Sequence, residues 1–290
     1  SQDMDSRVAV RFYRATEPSR GVPELGDILM GTLNLGGPSD RERQIGDEVV
    51  VRIESCATRA QSVEGDFCRV QRVNIPPQAG ADGLAPITLR EGNGIGHMAA
   101  FLYHRPTRVL ALQPNIQSAS PHRLSLYLAA LDPAQQFGFA PVLTEDAIER
   151  FQAGNTRSLV VKFAGIDRLE NLDDPNVPVA RGAKMIGDAY DGLEVEIKIS
   201  VGRSRDRSLA GGALRRTVGR LLSTPGITKL QAKLEGDAVP LDLLGEHLQQ
   251  ATEIRFPEGQ PDLHYQFRRD YLREAFNNVW PTLERQFGAG

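Results

Sequence analysis

Two kinds of chemistry are within reach of the residues around position 200 in this 290-residue chain. Glu196-Ile197-Lys198 reads ExK, with Asp188 and Asp191 just upstream. An aspartate ahead of ExK is the arrangement of a nuclease that holds a divalent metal ion between carboxylates. Glu/Lys alternation on an exposed strand produces the same letters. A catalytic role therefore requires Asp191, Glu196 and Lys198 to converge in space. Directly downstream stand six arginines, Arg203, Arg205, Arg207, Arg215, Arg216 and Arg220, against Asp206 alone. Their local charge is about +5 in a chain whose formal charge is −3. The guanidinium fork fits phosphate oxygens, so these residues point to a polyanion rather than to a reaction.

Other reactive types are scattered. None of the five histidines (97, 104, 122, 247, 264) pairs with another at metal-ligand spacing, and no metal or cofactor is expected. His97 and His104 stand at odd spacing on one strand and face opposite sides. GNGIG (92–96) lacks the GxGxxG spacing and a following helix, so it reads as a turn. Cys56 and Cys68 are too few for a disulfide framework and read as buried free thiols, which fits a reducing cytoplasm. The carboxylate pairs Glu145–Asp146 and Asp173–Asp174 sit where capping and solvation explain them.

The elements that would carry the central stretch are legible. Leu193, Val195, Ile197, Ile199 and Val201 alternate with Glu194, Glu196, Lys198 and Ser200, the pattern of a half-buried strand. A helix of about 207–223 follows, with Leu209, Leu214, Val218, Leu221 and Leu222 facing a core. Arg216 and Arg220 then lie one above the other, with Arg215 beside them. The loop arginines fall at the helix N-terminus, where backbone N–H groups also attract anions. Gly211 and Gly212 permit close approach of a backbone or a ligand. Arg268, Arg269 and Arg273 are candidates to extend this surface, although Asp270 and Glu274 dilute their charge.

Up to about Asp132 the chain reads mostly as strands with short helices. A helix is expected over 22–35, strands over 48–57 and 66–75, a hairpin over 96–104 and 107–113, and a Ser120-capped helix over 121–131. Further on, an extended segment (139–143) precedes a Thr144-capped helix, a strand (157–166), and a helix (180–190) ahead of the central strand. Strands over 227–234 and 248–256 and a long helix from 263 follow, with Pro281 expected to kink or end it. The expected fold is α+β: a strand-rich domain over 1–132 and an α/β domain over 139–290 on which the last helix packs. No apolar run approaches the length of a membrane helix, so no membrane insertion is expected.

The segment GHMAAFLYHRPTRVLALQPNIQSASPHRLSLYLAAL resembles the corresponding part of a family of bacterial proteins of unknown function, the DUF6731 type. The later order also resembles the phage-lambda exclusion protein RexA and, more distantly, the KwaB component of Kiwa antiphage systems. That order is a helix (180–190), a strand, a basic segment with a helix, the strand-and-turn ITKLQAKLEGDAVPLDLL and a long C-terminal helix. The resemblance implies a non-enzymatic, oligomeric DNA-binding or sensing partner in antiphage defence. The leading expectation is a cytoplasmic bacterial defence protein that binds DNA through the six arginines of the basic segment and helix as a homodimer, with a partner defence protein. Two alternatives stay open: a metal-dependent nuclease using Glu196, Lys198 and an upstream aspartate, and an adaptor that assembles with other proteins through its terminal helix.

Overall fold

Alternating stretches separated by tight turns favour antiparallel pairing, because each strand buries one face and returns beside its predecessor. The computed structural model follows that rule and describes residues 5–46, 48–113, 115, 117–165, 177–222, 224, 226–255 and 261–288. Asp173–Asp174 and the His264 side chain lie outside what is described. In chain order the elements begin β1 (Asp5–Ala15), α1 (Leu25–Gly31), β2 (Arg43–Gly46), β3 (Val49–Arg59), β4 (Ser62–Gln71), β5 (Gln78–Gly80) and β6 (Gly83–Ala85). They continue with β7 (Ile95–His104), β8 (Val109–Leu112), α2 (Pro121–Leu131), β9 (Phe139–Pro141), α3 (Glu145–Ala153) and β10 (Thr156–Ala164). The remainder are α4 (Pro178–Tyr190), β11 (Glu194–Ser200), α5 (Gly211–Leu222), β12 (Ile227–Leu234), β13 (Leu241–Asp242), β14 (Gln249–Arg255) and α6 (Pro261–Phe287). The fold is α+β.

The chain does not divide at a single cut near 132–139. One unit joins Ser1–Phe137 to Gln249–Gly290, and the other, Gly138–Leu248, is inserted between those two pieces. The cause is long-range pairing. β14 adds to β1, with Ala9 opposite Ala251, and α6 lies on the sheet of the first unit instead of on the second.

In the first unit the strands run β14-β1-β8-β7-β4-β3-β2, each neighbouring pair antiparallel. One face carries Phe67 and Tyr103 and is covered by α1 and α2. There Tyr127 meets Phe67 edge-on at 5.6 Å and its hydroxyl donates to Arg41 O at 2.9 Å. Ser120 caps α2 by accepting from Arg123 N at 3.1 Å, and Pro121 fills the first turn. The opposite face carries Glu64, Asp66, Leu102 and His104 and is covered by α6 through Leu272, Phe276 and Val279. Pro281 does not end that helix, which runs on to Phe287. The hydrogen bond it forfeits belongs to the carbonyl of exposed Asn277, while buried Val279 and Leu283 hold the helix on either side.

In the second unit the sheet order is β11-β10-β12-β13, again antiparallel. Leu159, Val161, Phe163, Val195, Leu230 and Ala232 form one apolar face, against which α3, α4 and α5 place Phe151, Ala183 and Leu221. The other face carries Lys162, Glu194, Glu196, Lys198 and Lys229, and no helix of this unit packs on it among the described residues. β11 is the terminal strand of the sheet.

Candidate nucleic-acid interface

The arginine segment consists of a loop and the helix it leads into. The helix begins at Gly211, later than the expected 207, because the loop is drawn back onto β10. Gly202 turns the chain out of β11 with φ +63° and donates to Ser200 Oγ at 3.0 Å. Leu209 N then donates to Thr156 O at 2.8 Å. Between these points the Arg157 guanidinium donates to the carbonyls of Ser204 and Arg207. A turn fixed through its backbone leaves its side chains outward, and Arg203, Arg205 and Arg207 are all exposed.

Helix α5 buries Leu214, Val218 and Leu221, the stripe that the periodicity predicts, and exposes Arg215, Arg216 and Arg220. Arg215 donates to Gln152 O at 3.5 Å beside a cleft of about 190 Å³ lined by Gly154, Asn155, Ser208, Gly211 and Arg215. Arg203, Arg205, Arg207, Arg215 and Arg216 have no carboxylate partner among the described residues. Exposed cations without ion pairs keep their electrostatic potential available to a ligand.

The ExK residues occupy a different surface. Glu196 receives Lys229 Nζ at 3.3 Å, and Glu194 receives Lys162 Nζ at 2.8 Å. The Glu194 hydrogen bond holds the Lys162 ammonium above its ordinary pKa. Lys198 is exposed on the same strand face. Asp191 terminates α4 in the left-handed conformation, φ 51°. The carboxylates thus meet lysines across the sheet rather than one another. Among the described residues, no group of three or more His, Cys, Asp or Glu side chains is placed to hold a metal ion.

Arg268, Arg269 and Arg273 are engaged by acids within the first unit. They belong to α6 in the first unit and turn onto acids of β4. Arg273 forks onto Glu64 at 2.7 and 2.5 Å, and Arg269 reaches Asp66 Oδ2 at 3.0 Å and also Ser55 Oγ. Arg268 stands 4.0 Å from Asp66 Oδ1. Asp66 is fully buried, and desolvation raises its pKa despite the opposing pull of both arginines. Gly65 between the two acids is obligatory, since a Cβ there would stand 2.1 Å from Ser55 O.

The remaining candidates have structural partners. His97 shares a 2.8 Å hydrogen bond with Gln71 Oε1. His104, on the opposite sheet face, bonds Thr107 Oγ1 at 2.8 Å and packs 5.0 Å from the Trp280 ring. Burial lowers the pKa of both imidazoles. Cys56 and Cys68 are free and buried, and burial pushes their thiols up to about 12 and about 11. Sequence reading missed Arg157, the residue that shapes the arginine loop. Its only signal was an arginine opening a strand, which does not reveal a partner fifty positions away.

The fold and this surface define a class: a two-unit α+β protein that presents an arginine-bearing loop and helix on an antiparallel sheet. The chain belongs to the family of unknown function DUF6731, whose model matches residues 25–277. No curated protein matches it.

Proposed function

We propose that this protein binds nucleic acid through phosphate contacts from Arg203, Arg205, Arg207, Arg215, Arg216 and Arg220, acting as a homodimeric, non-enzymatic sensing component of bacterial antiphage defence in the cytoplasm. The observation that carries the binding is the exposure, on one backbone-anchored loop and the helix after it, of five arginines without carboxylate partners among the described residues. Guanidinium groups on a fixed scaffold contact phosphates without reading bases, so recognition is of DNA as a polyanion. The defence context, and with it a partner defence protein, is proposed from the resemblance of segment order to RexA and KwaB. The absence of a helix long and apolar enough to cross a membrane, among the described residues, is compatible with that setting.

The test is a fluorescence-anisotropy titration of a duplex of about 20 base pairs at several salt concentrations between 50 and 200 mM. Each phosphate contact contributes about 0.9 to the slope of log K against log salt. Changing Arg203, Arg205 and Arg207 together to Ser leaves the carbonyls that anchor the loop in place. It should lower the slope by about 2.7 if all three meet phosphates. Unchanged affinity and slope in this variant, and in one with Arg215, Arg216 and Arg220 changed to Glu, would refute the proposal.

A further inference from the structure

The outer edge of β11 is unpaired among the described residues, which leaves a row of backbone donors and acceptors without a ladder partner. Their direction can be read from the inner edge. Leu193 O accepts from Gly165 N and Val201 N donates to Arg157 O, so the odd-numbered residues of this strand turn their backbone groups toward β10. The even-numbered residues Glu194, Glu196, Lys198 and Ser200 therefore present N–H and C=O outward.

The side chains on this edge match a second copy of themselves. An antiparallel pair of β11 strands with its two-fold axis at Ile197 places Glu196 opposite Lys198 of the second copy, and Lys198 opposite its Glu196. Val195 then faces Ile199, and Ile197 faces its own counterpart. The outward backbone groups of residues 196 and 198 exchange hydrogen bonds, and the two Ile197 residues form a non-hydrogen-bonded pair. Sliding the partner by two residues either way sets Glu196 against Glu196 or Lys198 against Lys198, and a slide of one turns its apolar side chains to the wrong face. Charge therefore selects one register among the sterically similar ones. Helix α4 beside this strand leaves Met185, Ile186 and Tyr190 exposed, the last at 83%, and Leu193 at the strand entrance is 63% exposed. Apolar groups gathered at an open edge are what a partner would remove from water.

We infer that β11 is the homodimer interface, pairing antiparallel with β11 of a second copy about an axis through Ile197 and joining the two four-stranded sheets into one. This rests on the homodimer in the reading above and supplies its surface. The interface is isologous, as a closed two-fold dimer requires.

Sedimentation velocity across a range of protein concentrations, with the full chain, tests it. Lys198→Glu creates two carboxylate–carboxylate contacts across the axis and should weaken dimerisation on the order of tenfold. Adding Glu196→Lys restores opposite charges in the swapped sense and should return the dissociation constant to within about threefold of the unmodified chain. Ile197→Cys should form an intermolecular disulfide under mild oxidation, because Cα atoms of a non-hydrogen-bonded pair stand about 4.5 Å apart. Buried Cys56 and Cys68 do not compete. A dimer unaffected by Lys198→Glu and not cross-linked through position 197 would overturn the surface while leaving a homodimer standing. A chain monomeric at all concentrations would overturn both. DNA affinity measured in the same samples reports separately on the arginine surface.

Discussion

Replacing Arg269 by Met removes the cation 3.0 Å from Asp66 while keeping an unbranched side chain on α6. Asp66 is fully buried, so the carboxylate left behind has Ser55 Oγ at 3.1 Å and Arg268 at 4.0 Å for compensation. Removing one partner of a buried pair costs about 3–5 kcal/mol. Arg269 keeps 27% of its side-chain exposure and Arg268 remains near, which places the loss at the lower end, about 3 kcal/mol at pH 7. The pH dependence has a definite sign. The folded pKa of Asp66 is already raised, and losing Arg269 raises it further. A carboxyl with a raised folded pKa loses stability as pH climbs above its unfolded value of about 3.9, at up to ~1.4 kcal/mol per pH unit, until it ionises in the folded state. As pH falls, Asp66 takes up its proton at a higher pH in the variant than in the unmodified chain, so the difference shrinks toward about 1 kcal/mol for the lost hydrogen bonds. Urea titrations followed by fluorescence of Trp280 suit this measurement, because the single tryptophan sits on α6 against His104 and reports docking of that helix. A loss below about 1 kcal/mol at pH 7, or a loss constant from pH 4 to 7, would refute an electrostatic role for this cluster.

Three further outcomes follow from particular contacts. Gly65→Ala places a Cβ 2.1 Å from Ser55 O and 2.8 Å from Phe101 Cζ, so it should cost about 3 kcal/mol or more in the same urea titration. Cys56 and Cys68, with thiols raised to about 12 and about 11, should resist a water-soluble thiol reagent at pH 8 in the folded protein and react fully in urea. Arg157→Ala frees the carbonyls of Ser204 and Arg207, and amide exchange across 203–209 should accelerate on the order of tenfold while thermal unfolding of the chain shifts little.

Local pattern determined most of the elements. Alternation placed the strands at β7, β10, β11 and β12, and Ser120-Pro121 marked the start of α2 at the observed residue. These features depend on a residue and its near neighbours, where side-chain periodicity and cap chemistry act directly. The stripe Leu214, Val218 and Leu221 and the outward Arg215, Arg216 and Arg220 were legible for the same reason. The misreadings all involve distant partners. Pro281 was expected to kink or end a helix that packing on the sheet carries through to Phe287. Arg268, Arg269 and Arg273 read as surface cations because nothing near them in the chain reveals Glu64 and Asp66, about two hundred positions earlier. The same distance hid the return of β14 and α6 to the first unit, and with it the inserted character of the second.

By itself, then, the sequence determined the α+β character, the arginine concentration and the faces of the helix and strand that carry it, because those follow from composition and short-range periodicity. Tertiary structure alone decided which charges are neutralised and which stay exposed. Arg269 and Arg273 meet buried acids, Glu194 and Glu196 meet lysines across the sheet, and the loop arginines are held outward by Arg157. Charge is a property of the residue, whereas its availability depends on what the fold places beside it.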